Sequence, residues 1–279
     1  PPLASPPVIS PSDVSLSPSF SPERPENADV INILLLGTDM RIPGTSDPGR
    51  ADVTMLCSLN PEVKTIKLVS FERGIYVPIP GREDDLLTHA YHWGGAELSQ
   101  SIISQCFSLE LDGYAQLDFE AFLAIVDIIG GVELSLTAVE AATLNRNGSR
   151  VLAEGVNHLS SYEALRYCRL RAPDDNWQRQ QRQRNCIAAC IRQLRNLDLS
   201  QWNDVADAVL PYVHTNLSRD TLLSLLLQAP NLLQSTPEQL QVPDRNMQNG
   251  YIACDFEYEH KKISNFLYGT DYEIQSPYR

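Results

Sequence analysis

The stretch VINILLLG, Val30 to Gly37, decides the architecture. Its apolar run is broken only by Asn32 and stops at a glycine, the pattern of a strand covered on both faces. Downstream, DVTMLCSLN (52–60) alternates, turns through Pro61–Lys64 and continues as TIKLVSF (65–71), a hairpin-like pair. LDGYAQL (111–117) and VELSL (132–136) read as further strands, and a short one lies near Leu240–Val242. Helical spacing appears at 96–107, at 118–131 with Asp118 as cap and Gly130 as stop, and at 161–171. More helices follow at about 175–197, 200–213, 219–228 and 256–267. Strands alternating with helices predict an α/β fold, a single three-layer α/β/α sandwich around a central, mainly mixed sheet.

Residues 1–28 hold eight prolines and little hydrophobicity, and read as a flexible linker. The folded domain is expected over 29–272, with a tail at 273–279. No run of eighteen or more apolar residues occurs, the length a membrane span needs. The chain opens on Pro1 without a signal pattern, which implies an upstream segment. A net charge of −13 excludes the broad basic surface that bulk nucleic-acid binding requires. None of the six cysteines sits in a CxxC pair, so a structural zinc site is not expected. An even count permits disulfides in an exported protein, while Cys57, in an apolar strand, equally reads as a small core residue. Cys186 and Cys190 share a helix face whose geometry suits a bridge poorly.

Against that acidity, six of the eighteen arginines crowd into ALRYCRLRAPDDNWQRQQRQR, Ala164 to Arg184. Arginine forks onto phosphate or carboxylate through paired hydrogen bonds. Arg179 and Gln183 are four apart on one helix face with Arg182 beside them, and Ile187, Ile191 and Leu194 carry that face inward. Inward arginines need an anion, and Asp174 and Asp175 are too few to serve them all. Asp39 lies where the buried strand ends, and GRAD (49–52) brings Arg50 and Asp52 into the next one. Two carboxylates from neighbouring strands suit one magnesium ion, whose other positions take water and phosphate oxygens; the competing reading is that both cap turns. SFER (70–73) presents Arg73 where its strand runs out. The apolar faces of Phe119–Ile129 and Ile102–Leu109 offer either a greasy slot or ordinary core. His89, Tyr91, His92 and Trp93 are candidates to floor a sugar site or to pack on a loop.

These blocks, in this order, resemble the LytR-CpsA-Psr proteins of the bacterial cell envelope. The likeness covers NILLLGTDMR, GRADVTML, SFER, LLTHAYHWGG, LDGYAQLDFEAFLAIVDIIGGVELSL, LSSYEALRYCRLR, RQQRQ and HTNLS, from about Asn32 to Tyr268. The resemblance implies an extracellular α/β domain anchored by an N-terminal transmembrane helix. It also implies a phosphotransferase that moves a glycopolymer from a polyprenyl-pyrophosphate carrier onto peptidoglycan. Asp39 and Asp52 match the positions associated with Mg²⁺, with Mn²⁺ as a substitute. Arg50, Arg73, Arg169, Arg171, Arg179 and Gln183 match those that hold pyrophosphate, and Arg182 is grouped with them. Asp174 is the nearest candidate for the base, with Asp175.

The sequence departs from the family pattern at two carboxylates. S-x-P-R-D becomes Ser70-Phe71-Glu72-Arg73-Gly74, and D-x-D becomes Asp174-Asp175-Asn176. Two other readings therefore stand beside transfer: a lipid-pyrophosphate binding protein that transfers nothing, and a pyrophosphatase with water as acceptor.

Overall fold

The computed structural model describes residues 24–25, 30–39, 49–146, 148, 150–170, 176–195, 205, 207–243 and 252–276. In chain order the strands and helices are β1 (Ile31–Thr38), β2 (Ala51–Asn60), β3 (Thr65–Phe71), β4 (Tyr76–Val77), β5 (Asp85–Leu86), α1 (Leu87–Cys106), β6 (Gly113–Leu117), α2 (Phe119–Ile128) and β7 (Val132–Leu136). There follow α3 (Ala138–Asn145), β8 (Gly155–Leu159), α4 (Ser161–Cys168), α5 (Asn176–Leu194), β9 (His214–Thr215), α6 (Arg219–Leu232), β10 (Glu238–Val242) and α7 (Phe256–Tyr268).

Six strands form the central sheet in the order β10-β3-β2-β1-β6-β9. The pairs β1–β6 and β10–β3 are parallel, and the others antiparallel, so the sheet is mixed as expected. Leu34, Leu36, Leu56, Val69 and Phe71 pack under one face against α1 and α7. Met55, Cys57, Ile66 and Leu68 face the other way, towards α5 and α6. A satellite core joins α2, α3, α4 and the β7–β8 ribbon to α5. The layering is α/β/α. Among the described residues no helix is long and apolar enough to cross a membrane.

Local chemistry explains the boundaries. Asp118 caps α2 by accepting from the Ala121 amide at 2.8 Å. Reciprocal capping boxes, Thr137 with Glu140 and Ser160 with Glu163, start α3 and α4. The helix expected over 161–171 ends earlier, at Cys168. Helix α1 begins at Leu87, ahead of the expected 96, but breaks at Gly94–Gly95, where Gly95 has φ 66°. A Cβ on Gly94 would lie 2.6 Å from that of Leu98, so the bend needs glycine there. The helix expected over 200–213 lies largely outside the described residues. Arg24, within the stretch read as linker, bonds Asp112 at 2.7 Å and the Val30 carbonyl at 3.0 Å.

Candidate active site

The site grows from the end of β1. Asp39 donates its backbone N–H to the Arg50 carbonyl at 3.0 Å, and its Oδ1 accepts from the Arg50 amide at 2.9 Å. Gly49 permits this approach: its φ is +77°, and a Cβ there would sit 2.6 Å from the Asp39 carbonyl oxygen. Asp39 is thereby held with only 3% exposure.

Asp52 is placed by an irregularity. Gly37 pairs with Val53 and Thr38 with Ala51, so Asp52 is the extra residue of a bulge. Bulges re-aim a side chain that regular pairing would fix. Arg73, where β3 runs out, forms an ion pair through Nη1 with Asp52 Oδ1. Thr88 braces both strand ends, its amide donating to the Arg73 carbonyl at 3.1 Å and its hydroxyl to the Ala51 carbonyl at 2.8 Å.

Asp39 and Asp52 border a cavity of about 800 Å³ whose rim also includes Arg169, Arg179 and Gln183. Arg169 follows α4 and lays its guanidinium 4.6 Å from the centre of the Phe119 ring. Behind this charged rim the walls turn apolar: Leu35 and Val53 from the sheet, Phe122 and Ile125 from α2, Ile187 and Ile191 from α5. These side chains are only partly buried although they point inward. The cavity is what leaves them so.

Other expected residues are placed differently. Arg182 is 3% exposed and away from the cavity lining, bonded to Glu140 at 3.3 Å and to the Leu170 carbonyl at 2.9 Å. Arg50 contributes its backbone, while its side chain is exposed. Arg171, Asp174 and Asp175 lie outside the described residues. Among the described residues the hydrogen-bond partners of Arg184 are neutral: the side-chain oxygens of Gln181, Gln239 and Gln241 receive it at 2.7, 3.3 and 3.1 Å. Burial brings its pKa down to about 10.

The greasy slot is half of what was expected. Helix α2 borders the cavity, but Ile102, Ile103, Phe107 and Leu109 are fully buried under the opposite face of the sheet. The aromatic block packs on its own loop. Asp85 accepts from Trp93 Nε1 at 3.3 Å and meets His89 Nδ1 at 2.8 Å, while Arg82 stacks 3.8 Å over Trp93. Glu72, in the family's proline position, is buried, accepts from Gln180 at 2.6 Å and donates its amide to Val242 at 2.8 Å. Gly74 leaves Arg73 its carboxylate, because Asp52 supplies it. Sequence reading missed Gly49, Leu35 and Val53; the glycine just before Arg50 was the only available sign.

Among the described residues no group of three or more His, Cys, Asp or Glu side chains could hold a metal by itself. Two carboxylates on one cavity rim fit a hard ion that keeps water and shares phosphate oxygens. They do not fit an all-protein cage.

A family model, the LytR_cpsA_psr family, matches residues 9–270. The chain is 33% identical over 232 residues to the polyisoprenyl-teichoic acid–peptidoglycan teichoic acid transferase TagU of Bacillus mycoides, covering 82% of this chain and 72% of that one. A solved structure of TagT bound to LIIa-WTA superimposes with a TM-score of 0.71 at 26% identity, covering 86% of this chain and 90% of that chain. TagT of B. subtilis gives 0.69 at 26% identity, covering 92% and 100%. The chain belongs to the LytR-CpsA-Psr family.

Proposed function

We propose that this enzyme is a Mg²⁺-dependent phosphotransferase that moves an anionic glycopolymer from a polyprenyl-pyrophosphate carrier onto a peptidoglycan sugar hydroxyl. The observation that carries the proposal is the two-part cavity, a rim of carboxylates and arginines opening onto apolar walls. Such a site suits a ligand with a pyrophosphate head and a hydrocarbon tail. Each 100 Å² of tail buried contributes about 2.5 kcal/mol.

In this mechanism Arg169 and Arg179 neutralise the pyrophosphate oxygens, and Gln183 donates a hydrogen bond that fixes its orientation. Asp39 and Asp52 are the residues that would hold Mg²⁺, which would withdraw charge from the phosphate oxygens when bound. Arg73 leaves Asp52 for the transferred phosphate as negative charge gathers there. The acceptor hydroxyl forms a new P–O bond in line with the bond that breaks, and lipid phosphate leaves. Apolar walls keep the tail and exclude water. The enzyme works at the cell envelope, and an upstream anchor would keep its lipid substrate within reach.

Labelled lipid-linked oligosaccharide supplied with peptidoglycan oligomers tests the proposal. Joined glycan is the expected product. Free sugar phosphate would make the enzyme a pyrophosphatase, and tight binding without product would make it a carrier-binding protein.

A further inference from the structure

Three of the six cysteines, Cys168, Cys186 and Cys190, line the same cavity. Cys168 is the last residue of α4, and the other two lie on α5, so the helices meet through sulfur. The Cys186 thiol touches those of Cys168 and Cys190, and no disulfide joins them. Contact with Cys168, and then burial, push the Cys186 thiol well above its ordinary range; contact with Cys186, and then burial, do the same for Cys190. Cys57 differs: it sits in the sheet core, where burial raises its thiol to about 12.

The geometry selects one pair. Side chains four apart on a helix hold their Cβ atoms about 5–6 Å apart. A disulfide needs roughly 3.5–4.5 Å. Bridging Cys186 to Cys190 would therefore distort α5, whereas Cys168 approaches from a separate helix. Cys168, partly exposed, is the member a reagent in the cavity can reach, and Cys186 is fully buried behind it.

We infer that Cys168 and Cys186 form a dithiol modification site that exchanges with a small organic disulfide entering the cavity. Cys168, as thiolate, attacks one sulfur of that disulfide and expels a thiolate, which takes up a proton. Cys186 then attacks the mixed disulfide and expels the second. Two protein S–H bonds are lost and one S–S bond forms; the organic disulfide is reduced to two thiols. The bridge staples α4 to α5 beside Arg169, at the junction of the charged rim and the apolar walls.

Treating the folded chain with hydroxyethyl disulfide, followed by intact mass and peptide mapping, tests this. Wild type should lose the mass of two hydrogens and yield one linked peptide pair containing positions 168 and 186. Cys190→Ser should do the same, while Cys168→Ser and Cys186→Ser should give no bridge; Cys186→Ala covers a serine variant that fails to fold. A bridge that persists in Cys168→Ser, or a wild type that stops at mixed adducts, overturns the assignment. A second arm rests on the lipid reading: a polyprenyl phosphate at ten times its dissociation constant should slow bridging about tenfold. Bridging without protection leaves the dithiol standing and removes the lipid from the cavity.

Discussion

Arg73 and Asp52 are ion-paired across the ends of β3 and β2, and Asp52 also borders the cavity. The carboxylate proposed to hold metal is thus already neutralised by the arginine proposed to meet phosphate. Arg73→Ala should lower kcat about 10²–10³-fold, the usual cost of losing one donor aimed at developing charge. Arg73→Lys should recover only part, since a lysine cannot fork. Wild-type turnover in Arg73→Ala, measured with lipid-linked substrate, would remove Arg73 from the reaction.

The carboxylates themselves give a second prediction. Asp39→Asn keeps an oxygen to accept from the Arg50 amide, so the strand ends should hold while metal affinity falls. Turnover should vanish in Asp39→Asn and Asp52→Asn, with Tm moving less than about 4 °C. Full activity in excess chelator would refute metal dependence.

Gly49 should be as necessary as the aspartate it faces. Gly49→Ala sets a Cβ against the Asp39 carbonyl at a positive φ, which costs about 1–3 kcal/mol. Denaturant unfolding should show that loss, and turnover should fall further than stability explains. Unchanged stability would contradict the geometry.

Filling the cavity should separate head from tail. Ile187→Trp narrows the apolar end without touching the rim and should weaken polyprenyl phosphate binding at least about tenfold, or 1.4 kcal/mol. A short-chain prenyl analogue should lose less. Equal losses for both would place the tail elsewhere.

Acid should act through Glu163. The Arg150 guanidinium, above all, and the Ser160 amide and hydroxyl hold its carboxyl near about 2, against an ordinary 4.5. A depressed folded value means that its contribution is complete above pH 4.5 and drains away as pH falls towards about 2. Glu163→Gln should flatten the pH dependence of Tm in that window. An unchanged slope would show that the pair does not differ between folded and unfolded chains.

Much of this was legible in order of locality. VINILLLG and TIKLVSF match β1 and β3 because strand and turn signals lie within a few residues. The ribbon partner β8 was missed because GVNHL carries a weak alternation, with only Leu159 fully covered. At the site, residue types were visible and directions were not. Arg179 and Arg182 share one helix face by spacing, yet one borders the cavity and the other reaches Glu140. Helix phase alone does not tell which carboxylate a neighbouring helix presents. Ile102 and Ile125 look equally greasy in sequence, and only sheet topology sends them to opposite faces.

The reciprocal bonds between Asp39 and Arg50 tie the end of β1 to the residue that precedes β2. Both aspartates are therefore aimed by backbone, Asp39 by this clasp and Asp52 by the bulge opposite Gly37 and Thr38. Their bearing is written into the pairing of two neighbouring strands, so a substitution that shifts that register should move both carboxylates together.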